Sequence, residues 1–364
     1  MKNTRIVILM PSFEGGGVEK NFIYILNYLQ KYFSNIFVIS GAKIKDLKTN
    51  KTIKVIYPKK KYFNSNNRLI KNFYVVCLFI NNFWRQKVLI LSFQSSLISI
   101  FLSKINKNKI ILRLNTDPNK YIKNFLQKIL FKFLYNLSDK IIVNSKEFQK
   151  NLLRIVGKKS VVIFNPFKKI SVSKKKIKFF FNYKGLKILN IGRLTDQKDQ
   201  KTLINAMIEL KKINFDFRLC IIGRGDKFEE LNNLIKINSL NKNIKLLDYI
   251  KNAQTLIKQA DLFILTSKYE GLPNVLIEAQ FAGVPIISSN CPSGPKEILL
   301  NGKLGSLFNV GDHMHLFKKI VYFDSNKIIF KNKSILAKKK LYRFDYKKNL
   351  DKYRELIKNQ LLNY

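Results

Sequence analysis

Cysteine and long apolar runs are both scarce in this chain of 364 residues. The three cysteines, Cys77, Cys220 and Cys291, lie far apart and form no Cys-x-x-Cys pair. That spacing argues against a disulfide framework or a cysteine-based zinc site, and it fits a reducing cytosol. The longest apolar stretch, 73–80, falls well short of the ~18 residues of a membrane span, and the first residues lack a signal-peptide cleavage site. We therefore expect a cytoplasmic protein, which could still bind the inner face of the cytoplasmic membrane.

Histidine is scarcer still, because only His313 and His315 occur, both late in the chain. A mechanism that needs a histidine base in the first half is therefore excluded. The pair follows Gly311 and Asp312, where a helix is expected to begin, and no third ligand lies nearby in the sequence. We expect no metal ion at this pair and no cofactor elsewhere.

Acidic side chains are few, since 23 Asp and Glu stand against 68 Lys and Arg, a formal net charge of +45. An AT-rich genome, an anionic membrane surface or a nucleic acid could each account for this excess. The sequence shows no RNP-like aromatic motif, zinc knuckle or helix-turn-helix, so we expect no nucleic-acid partner. The 46% of hydrophobic residues suffices for large cores and excludes global disorder.

Short apolar runs alternate with amphipathic stretches along the whole chain, a rhythm typical of parallel sheets with helices on both faces. The rhythm restarts at Leu186, after a lysine-rich aperiodic stretch. We therefore predict an α/β protein with two Rossmann-like domains, 1–165 and 185–344, joined by a linker at 166–184. The last stretch, 345–364, is predicted to be helical.

Three glycine turns follow predicted strands. The first, GGGVE at 15–19, opens a helix, where glycine allows close approach of a ligand and N–H groups favour an anion; a tight turn without a ligand is the alternative. The second, NIGRL at 190–194, places Arg193 and Lys198 near the carboxyl end of a strand, where cations can bind phosphate. In so basic a chain they could equally be surface cations. The third, GRGD at 223–226, is a weaker signal.

The most specific pattern is EGLPNVLIEA at 270–279. Glycine and proline after Glu270 interrupt regular structure, and Asn274 is predicted to begin a helix that places Glu278 about one turn in. A carboxylate suits two ribose hydroxyls, and a helix N-terminus suits a diphosphate. The alternative for Glu278 is a helix-capping role.

Taken together and in this order, GGGVE, NIGRL with its following lysine, GRGD and EGLPNVLIEA resemble the retaining glycosyltransferases of family four. The resemblance implies the GT-B fold, with two Rossmann-like domains facing across a cleft and a C-terminal helix crossing back to the first domain. It implies a metal-independent hexosyltransferase that moves a sugar, with retention, from a nucleotide-diphosphate donor such as a UDP-sugar. The implied acceptor is a glycan or a lipid-linked glycan of cell-envelope polysaccharide biosynthesis, in lipopolysaccharide, capsule or glycoprotein glycan.

The resemblance also implies roles for individual residues. Arg193 and Lys198 would hold the donor diphosphate, and Glu270 would lie near the transferred sugar. The other expected donor contacts are Gly16, Gly17, Gly223, Gly271, Leu272, Pro273, Asn274 and Glu278.

One departure from the family concerns a first-domain histidine that many members carry and this chain lacks. Gln94, Asn115 and Asp117 are candidates for the acceptor side in its place. Asp117 could act as the acceptor base, or it could cap a helix before Pro118.

Two segments of the first half, 59–87 and 119–140, interleave lysines with aromatic and aliphatic residues. The second is predicted to form a cationic amphipathic helix suited to an anionic bilayer surface. The alternative is an ordinary helix with its apolar face in the core.

Other functions remain open at this point. Paired carboxylates also occur in glycoside hydrolases, but a hydrolase has no diphosphate to hold. A sugar-nucleotide epimerase of the GT-B fold would share the phosphate grip without needing an acceptor. A non-catalytic module that binds polyanions would need neither.

Overall fold

The computed structural model describes residues 5–13, 16–44, 52–59, 67–116, 122, 124–169 and 176–362. The chain divides into two compact units, Met1–Pro166 with Tyr346–Tyr364, and Phe167–Asp345. Each unit is built on one sheet whose strand pairs are parallel, which confirms the predicted α/β class.

The first unit contains a seven-stranded sheet. Its strands are β1 (Arg5–Leu9), β2 (Ile36–Ile39), β3 (Ile53–Ile56), β4 (Val88–Ser92), β5 (Lys109–Arg113), β6 (Lys140–Val143) and β7 (Val161–Val162). Hydrogen bonds order them β3-β2-β1-β4-β5-β6-β7. The order reverses between β1 and β4, which is where open α/β sheets bind ligands at the carboxyl ends of their strands.

Helices cover both faces of this sheet. In chain order they are α1 (Gly17–Leu29), α2 (Arg68–Phe83), α3 (Ser96–Ile105), α4 (Phe125–Asn136) and α5 (Lys146–Val156). Alternate strand residues serve the two faces, so that Ile6 and Ile8 pack with α1 while Val7 and Leu9 pack with α2 to α5. The strands are therefore continuously apolar, as parallel strands covered on both sides are.

The second unit contains a six-stranded sheet. Its strands are β8 (Leu186–Ile191), β9 (Phe217–Ile222), β10 (Ile244–Leu247), β11 (Leu262–Leu265), β12 (Ile286–Ser289) and β13 (Ser306–Phe308). Its helices are α6 (Gln200–Lys212), α7 (Phe228–Ile237), α8 (Asn274–Ala282), α9 (Pro295–Ile298), α10 (His313–Ser325) and α11 (Lys327–Lys339). The strand order is β10-β9-β8-β11-β12-β13, so the reversal lies between β8 and β11.

The last helix, α12 (Tyr346–Leu362), belongs to the first unit and packs beside α1. Its residue Tyr353 is fully buried and accepts a hydrogen bond from Nε of Arg113, at 2.7 Å. The same buried guanidinium donates to Asn165 at 2.9 Å and to Asn115, and it lies over the ring of Phe93. Each nitrogen of the guanidinium thus has a hydrogen-bond acceptor, and the bond to Tyr353 ties α12 to the carboxyl end of β5.

Two glycines of the second unit are fixed by close backbone approach. A β-carbon on Gly223 would overlap the carbonyl oxygen of Gly192, and one on Gly225 would overlap that of Leu194. The amide of Leu194 also donates to the carbonyl of Arg224, at 2.9 Å. The backbones of the turns that follow β8 and β9 are therefore in direct contact. A residue with a side chain at position 223 or 225 would prevent that contact.

The Arg113 contact predicts a stability loss for Tyr353→Phe. The substitution removes one hydrogen-bond partner of a buried cation, and the free energy of unfolding should fall by about 1–3 kcal/mol. Chemical denaturation measures this, with Tyr342→Phe as the control because Tyr342 is exposed. Equal stability of Tyr353→Phe and the wild-type protein would show that the contact does not hold α12.

The paired turns predict that Gly223→Ala is destabilising. The added methyl group must displace the backbone of Gly192, at a cost of about 1–3 kcal/mol. Gly192→Ala is the matched control, because a β-carbon there meets Lys198 at an ordinary 3.6 Å. Thermal unfolding should separate the two variants, and similar melting temperatures would contradict the close approach.

Candidate functional site

The carboxyl edge of the second sheet holds a buried ion pair. Nζ of Lys198 lies 2.5 Å from Oε1 of Glu270, and the two side chains are 15% and 8% exposed. The hydroxyl of Ser267 donates to the same oxygen, at 2.6 Å. With little water around them, the two charges act on each other and on a ligand more strongly than surface charges do.

Lys198 is positioned by the loop between β8 and α6. The hydroxyl of Thr266 donates to the backbone carbonyl of Lys198, at 2.8 Å. The side-chain amide of Gln197 donates to the backbone carbonyl of Tyr269, at 3.0 Å, and the backbone carbonyl of Gln197 accepts from the backbone amide of Lys268. These bonds fasten the lysine loop to the loop that carries Glu270, so the pair is held by the backbone of both.

Arg193 lies in the same loop as Lys198, but its side chain is exposed. Its guanidinium donates weakly to Gln197, at 3.4 Å, and its carbonyl accepts from Gln200, at 2.9 Å. The structure therefore places Arg193 at the edge as a second, more exposed cation. Gly223 joins the same edge through its contact with Gly192.

The motif residues after Glu270 form the start of α8. Leu272 and Pro273 are buried, while Gly271 and Asn274 are partly exposed. Pro273 precedes the helix without a side-chain capping bond, and the first turn of α8 carries no acidic residue. This leaves the positive end of the helix dipole free of any opposing carboxylate in that turn. Glu278 lies buried within α8 itself.

A loop that sequence reasoning missed supports this motif. It follows β12 and contains Gly294, where a β-carbon would overlap the carbonyl oxygen of Gly271. The hydroxyl of Ser289 donates to the carbonyl of Ser267, at 2.6 Å, and the amide of Glu270 donates to Pro292, at 3.4 Å. The turn-forming run Pro-Ser-Gly-Pro at 292–295 is the sequence signal that could have identified it.

Cys291 lies in that loop and is almost fully buried. Burial raises the pKa of its thiol to about 12, and the negative charge of Glu270 acts in the same direction. The thiol is therefore protonated at neutral pH and is a poor nucleophile. Among the described residues, no group of three or more His, Cys, Asp or Glu side chains is arranged to hold a metal ion.

The first unit has its own set of candidate residues at the carboxyl edge of its sheet. Both the amide and the hydroxyl of Ser12, just beyond β1, donate to Oε1 of Gln94, at 3.0 and 2.9 Å. The side chain of Asn115 donates to the carbonyl of Phe93, at 2.7 Å. Gln94 and Asn115 are thus brought to neighbouring strand ends. Asp117 lies outside the described residues.

Gly16 and Gly17 lie at the start of α1, as their position after the first strand indicated. A β-carbon on Gly16 would meet a carboxylate oxygen of Glu19 at 3.0 Å. Glu19 lies in the first turn of α1, where a negative charge stabilises the helix. An anion brought to this helix start would meet that carboxylate, which distinguishes it from the start of α8.

Comparison with known proteins shows a family match for one segment of the chain and a fold for the whole. The family described as Glycosyl transferases group 1 matches residues 171–340. An uncharacterized glycosyltransferase of Methanocaldococcus jannaschii is 31% identical over 218 residues, which are 55% of this chain and 53% of that protein. The N-acetylgalactosamine-N,N'-diacetylbacillosaminyl-diphospho-undecaprenol 4-alpha-N-acetylgalactosaminyltransferase of Campylobacter jejuni is 29% identical over 240 residues, 63% of this chain and 65% of that protein. The chain thus spans between half and two thirds of these relatives.

Solved structures extend the likeness to the whole chain. HepE of Anabaena, crystallised with UDP and glucose, has a TM-score of 0.78 and 19% identity, covering 98% of this chain and 100% of its own. Sucrose-phosphate synthase of Thermosynechococcus elongatus has a TM-score of 0.79 and 13% identity, with full coverage of both chains. The chain therefore has the GT-B fold, and its residues 171–340 match the glycosyl transferases group 1.

Proposed function

We propose that the chain is a retaining glycosyltransferase of the family-four type. It transfers a sugar from a nucleoside-diphosphate sugar to a glycan or lipid-linked acceptor in cell-envelope polysaccharide biosynthesis. The observation that carries this proposal is the buried pair of Lys198 and Glu270 beside the start of α8, at the reversal point of the second sheet. Donor chemistry needs this combination, because a sugar presents hydroxyls while a diphosphate presents negative charge.

The diphosphate is assigned to Lys198, Arg193 and the start of α8. Negative charge grows on the diphosphate as the bond to the sugar breaks, and fixed positive groups stabilise it without rearrangement. Two cations and a helix dipole supply that charge, so we propose that transfer needs no metal ion. The start of α1 is less suited to this task, because Glu19 already occupies it with a carboxylate.

Glu270 is assigned to the transferred sugar. Lys198 and Ser267 both bind one of its oxygens, which fixes the orientation of the carboxylate. A carboxylate held in this way can accept hydrogen bonds from sugar hydroxyls and oppose the positive charge that develops at the anomeric carbon. Glu278 is assigned to the ribose hydroxyls, and Gly223 to the nucleotide.

The identities of donor and acceptor are proposed from the relatives. HepE of Anabaena was crystallised with UDP-glucose, which supports a UDP-sugar donor. The name of the Campylobacter jejuni relative specifies a diphospho-undecaprenol acceptor, which supports a lipid-linked one. In the first unit, Gln94 and Asn115 are assigned to the acceptor side. Gly16 and Gly17 stay predicted donor contacts, near both the phosphates and the acceptor side. Asp117 stays a predicted acceptor base.

Glu270→Gln tests the role of the carboxylate. The amide keeps an oxygen for Ser267 and Lys198 but loses the charge, so the transfer rate should fall about 10²–10³-fold. UDP binding, measured by calorimetry, should change far less, because the diphosphate contacts remain. Glu230→Gln is the control, since Glu230 is an exposed carboxylate of α7. Unchanged transfer by Glu270→Gln would refute the assignment.

Lys198→Met tests the diphosphate contact. We expect UDP-sugars to raise the melting temperature of the wild-type protein, and this shift should be lost in the variant. Lys201→Met should retain the shift, because Lys201 is an exposed lysine whose ion pair with Glu230 is long, at 4.0 Å.

Incubation of the wild-type protein with the donor alone distinguishes transfer from epimerisation. Conversion of the donor sugar into another sugar without an acceptor would support an epimerase and contradict transfer.

A further inference from the structure

Three helices of the first unit form one layer on its sheet. The middle helix, α3, packs against both α2 and α4, and all three contribute to the core on the same face of the sheet. We propose that the outer surface of this layer docks on an anionic lipid bilayer. We call it the three-helix face. This inference does not depend on the proposed transfer, because it concerns a different surface and a different ligand.

The helix α4 contributes most of the exposed apolar surface. Of its twelve residues only Tyr135 is fully buried. Phe131 and Leu134 are partly buried against the core, whereas Phe125 is 73% and Leu126 76% exposed. The complete exposed set on α4 is Phe125, Leu126, Ile129, Leu130 and Phe133. This spacing of three to four residues places them on one side of the helix. The predicted alternative, an apolar face turned into the core, holds for Phe131, Leu134 and Tyr135 but does not account for this second apolar side.

The helices α2 and α3 add matching stripes. The exposed large apolar residues of α2 and its C-cap are Leu69, Ile70, Phe73, Ile80 and Trp84, and those of α3 are Leu97, Phe101 and Ile105. Each set again follows the helical repeat, so each helix turns an apolar stripe away from the core. Exposed apolar stripes on three helices of one layer mark an interaction surface rather than the scattered exposure of single side chains.

The positive charge of the three-helix face indicates that its binding partner is an anionic surface. The stretches 67–116 and 124–138, which include all three helices, contain no Asp or Glu. The exposed cations on and around the helices are Arg68, Arg85, Lys87, Lys104, Lys107, Lys128 and Lys132. Like charges on stretches that contain no acidic residue repel one another, and anionic headgroups relieve that repulsion.

The apolar stripes favour a bilayer over an acidic protein. Phenylalanine, leucine and isoleucine among lysines, with tryptophan at a helix end, form the pattern of helices that lie in the membrane interface. Within the described residues, no helix has both the length and the apolar character needed to cross a bilayer. Contact through the three-helix face therefore has the chemistry of interfacial binding, with side chains inserted among acyl chains and cations at the headgroups.

Vesicle flotation of the full chain tests this directly. The wild-type protein should float with vesicles that contain phosphatidylglycerol and much less with vesicles of phosphatidylcholine alone. The triple substitution Phe125→Ser, Leu126→Ser, Phe133→Ser should weaken this binding more than tenfold, because it removes three inserted side chains. The matched control is Ile237→Ser with Ile328→Ser, which alters equally exposed residues of the second unit.

A second variant, Lys128→Glu with Lys132→Glu, tests the role of charge. It should bind vesicles that contain phosphatidylglycerol no better than vesicles of phosphatidylcholine alone. All these residues are exposed, so unchanged melting temperatures will show that the variants fold. Transfer to a water-soluble acceptor should be unchanged in every variant, which separates this proposal from that of the transfer reaction. Wild-type protein that stays unbound at low salt overturns the proposal. A wild-type dimer that the serine variant converts to monomer also overturns it, because the face would then bind a second copy.

Discussion

The second unit depends on one buried contact between opposite charges, the pair of Lys198 and Glu270. Burying either charge alone would be strongly unfavourable, so each requires the other. The backbone around them is arranged accordingly, since the loop after β8 and the loop after β11 are joined by three hydrogen bonds through Gln197, Thr266 and Lys268. A ligand that binds here meets a positive and a negative group already fixed in place, which is the preorganisation that charge-separating chemistry needs.

The close approach of backbone to backbone makes this arrangement possible. Gly223, in the turn after β9, contacts the backbone of Gly192, in the turn after β8, with no side chain between them. Gly294 contacts the backbone of Gly271 in the same way. Each contact brings a loop to the edge of the sheet where strand order reverses. The three-helix face belongs to the first unit and shares no residue with these loops of the second unit.

Much of this could be predicted from the sequence, and the failures have physical causes. The alternation of apolar runs and amphipathic stretches predicted the α/β class, and the four motifs predicted the GT-B fold. The contact of Arg113 with Tyr353 could not be predicted, because the two residues are 240 positions apart and neither belongs to a motif. Gly294 was missed because its partner, Gly271, lies on a different loop, beyond α8 and β12. The exposure of α2 and α3 was missed because periodicity shows that a helix has an apolar side but not whether that side is covered.

The most direct measurement is a crystal structure of the chain with UDP bound. The account predicts the diphosphate at the start of α8, within hydrogen-bonding distance of Lys198 or Arg193 and beside Glu270. A diphosphate bound at the start of α1, next to Gly16 and away from both cations, would contradict it.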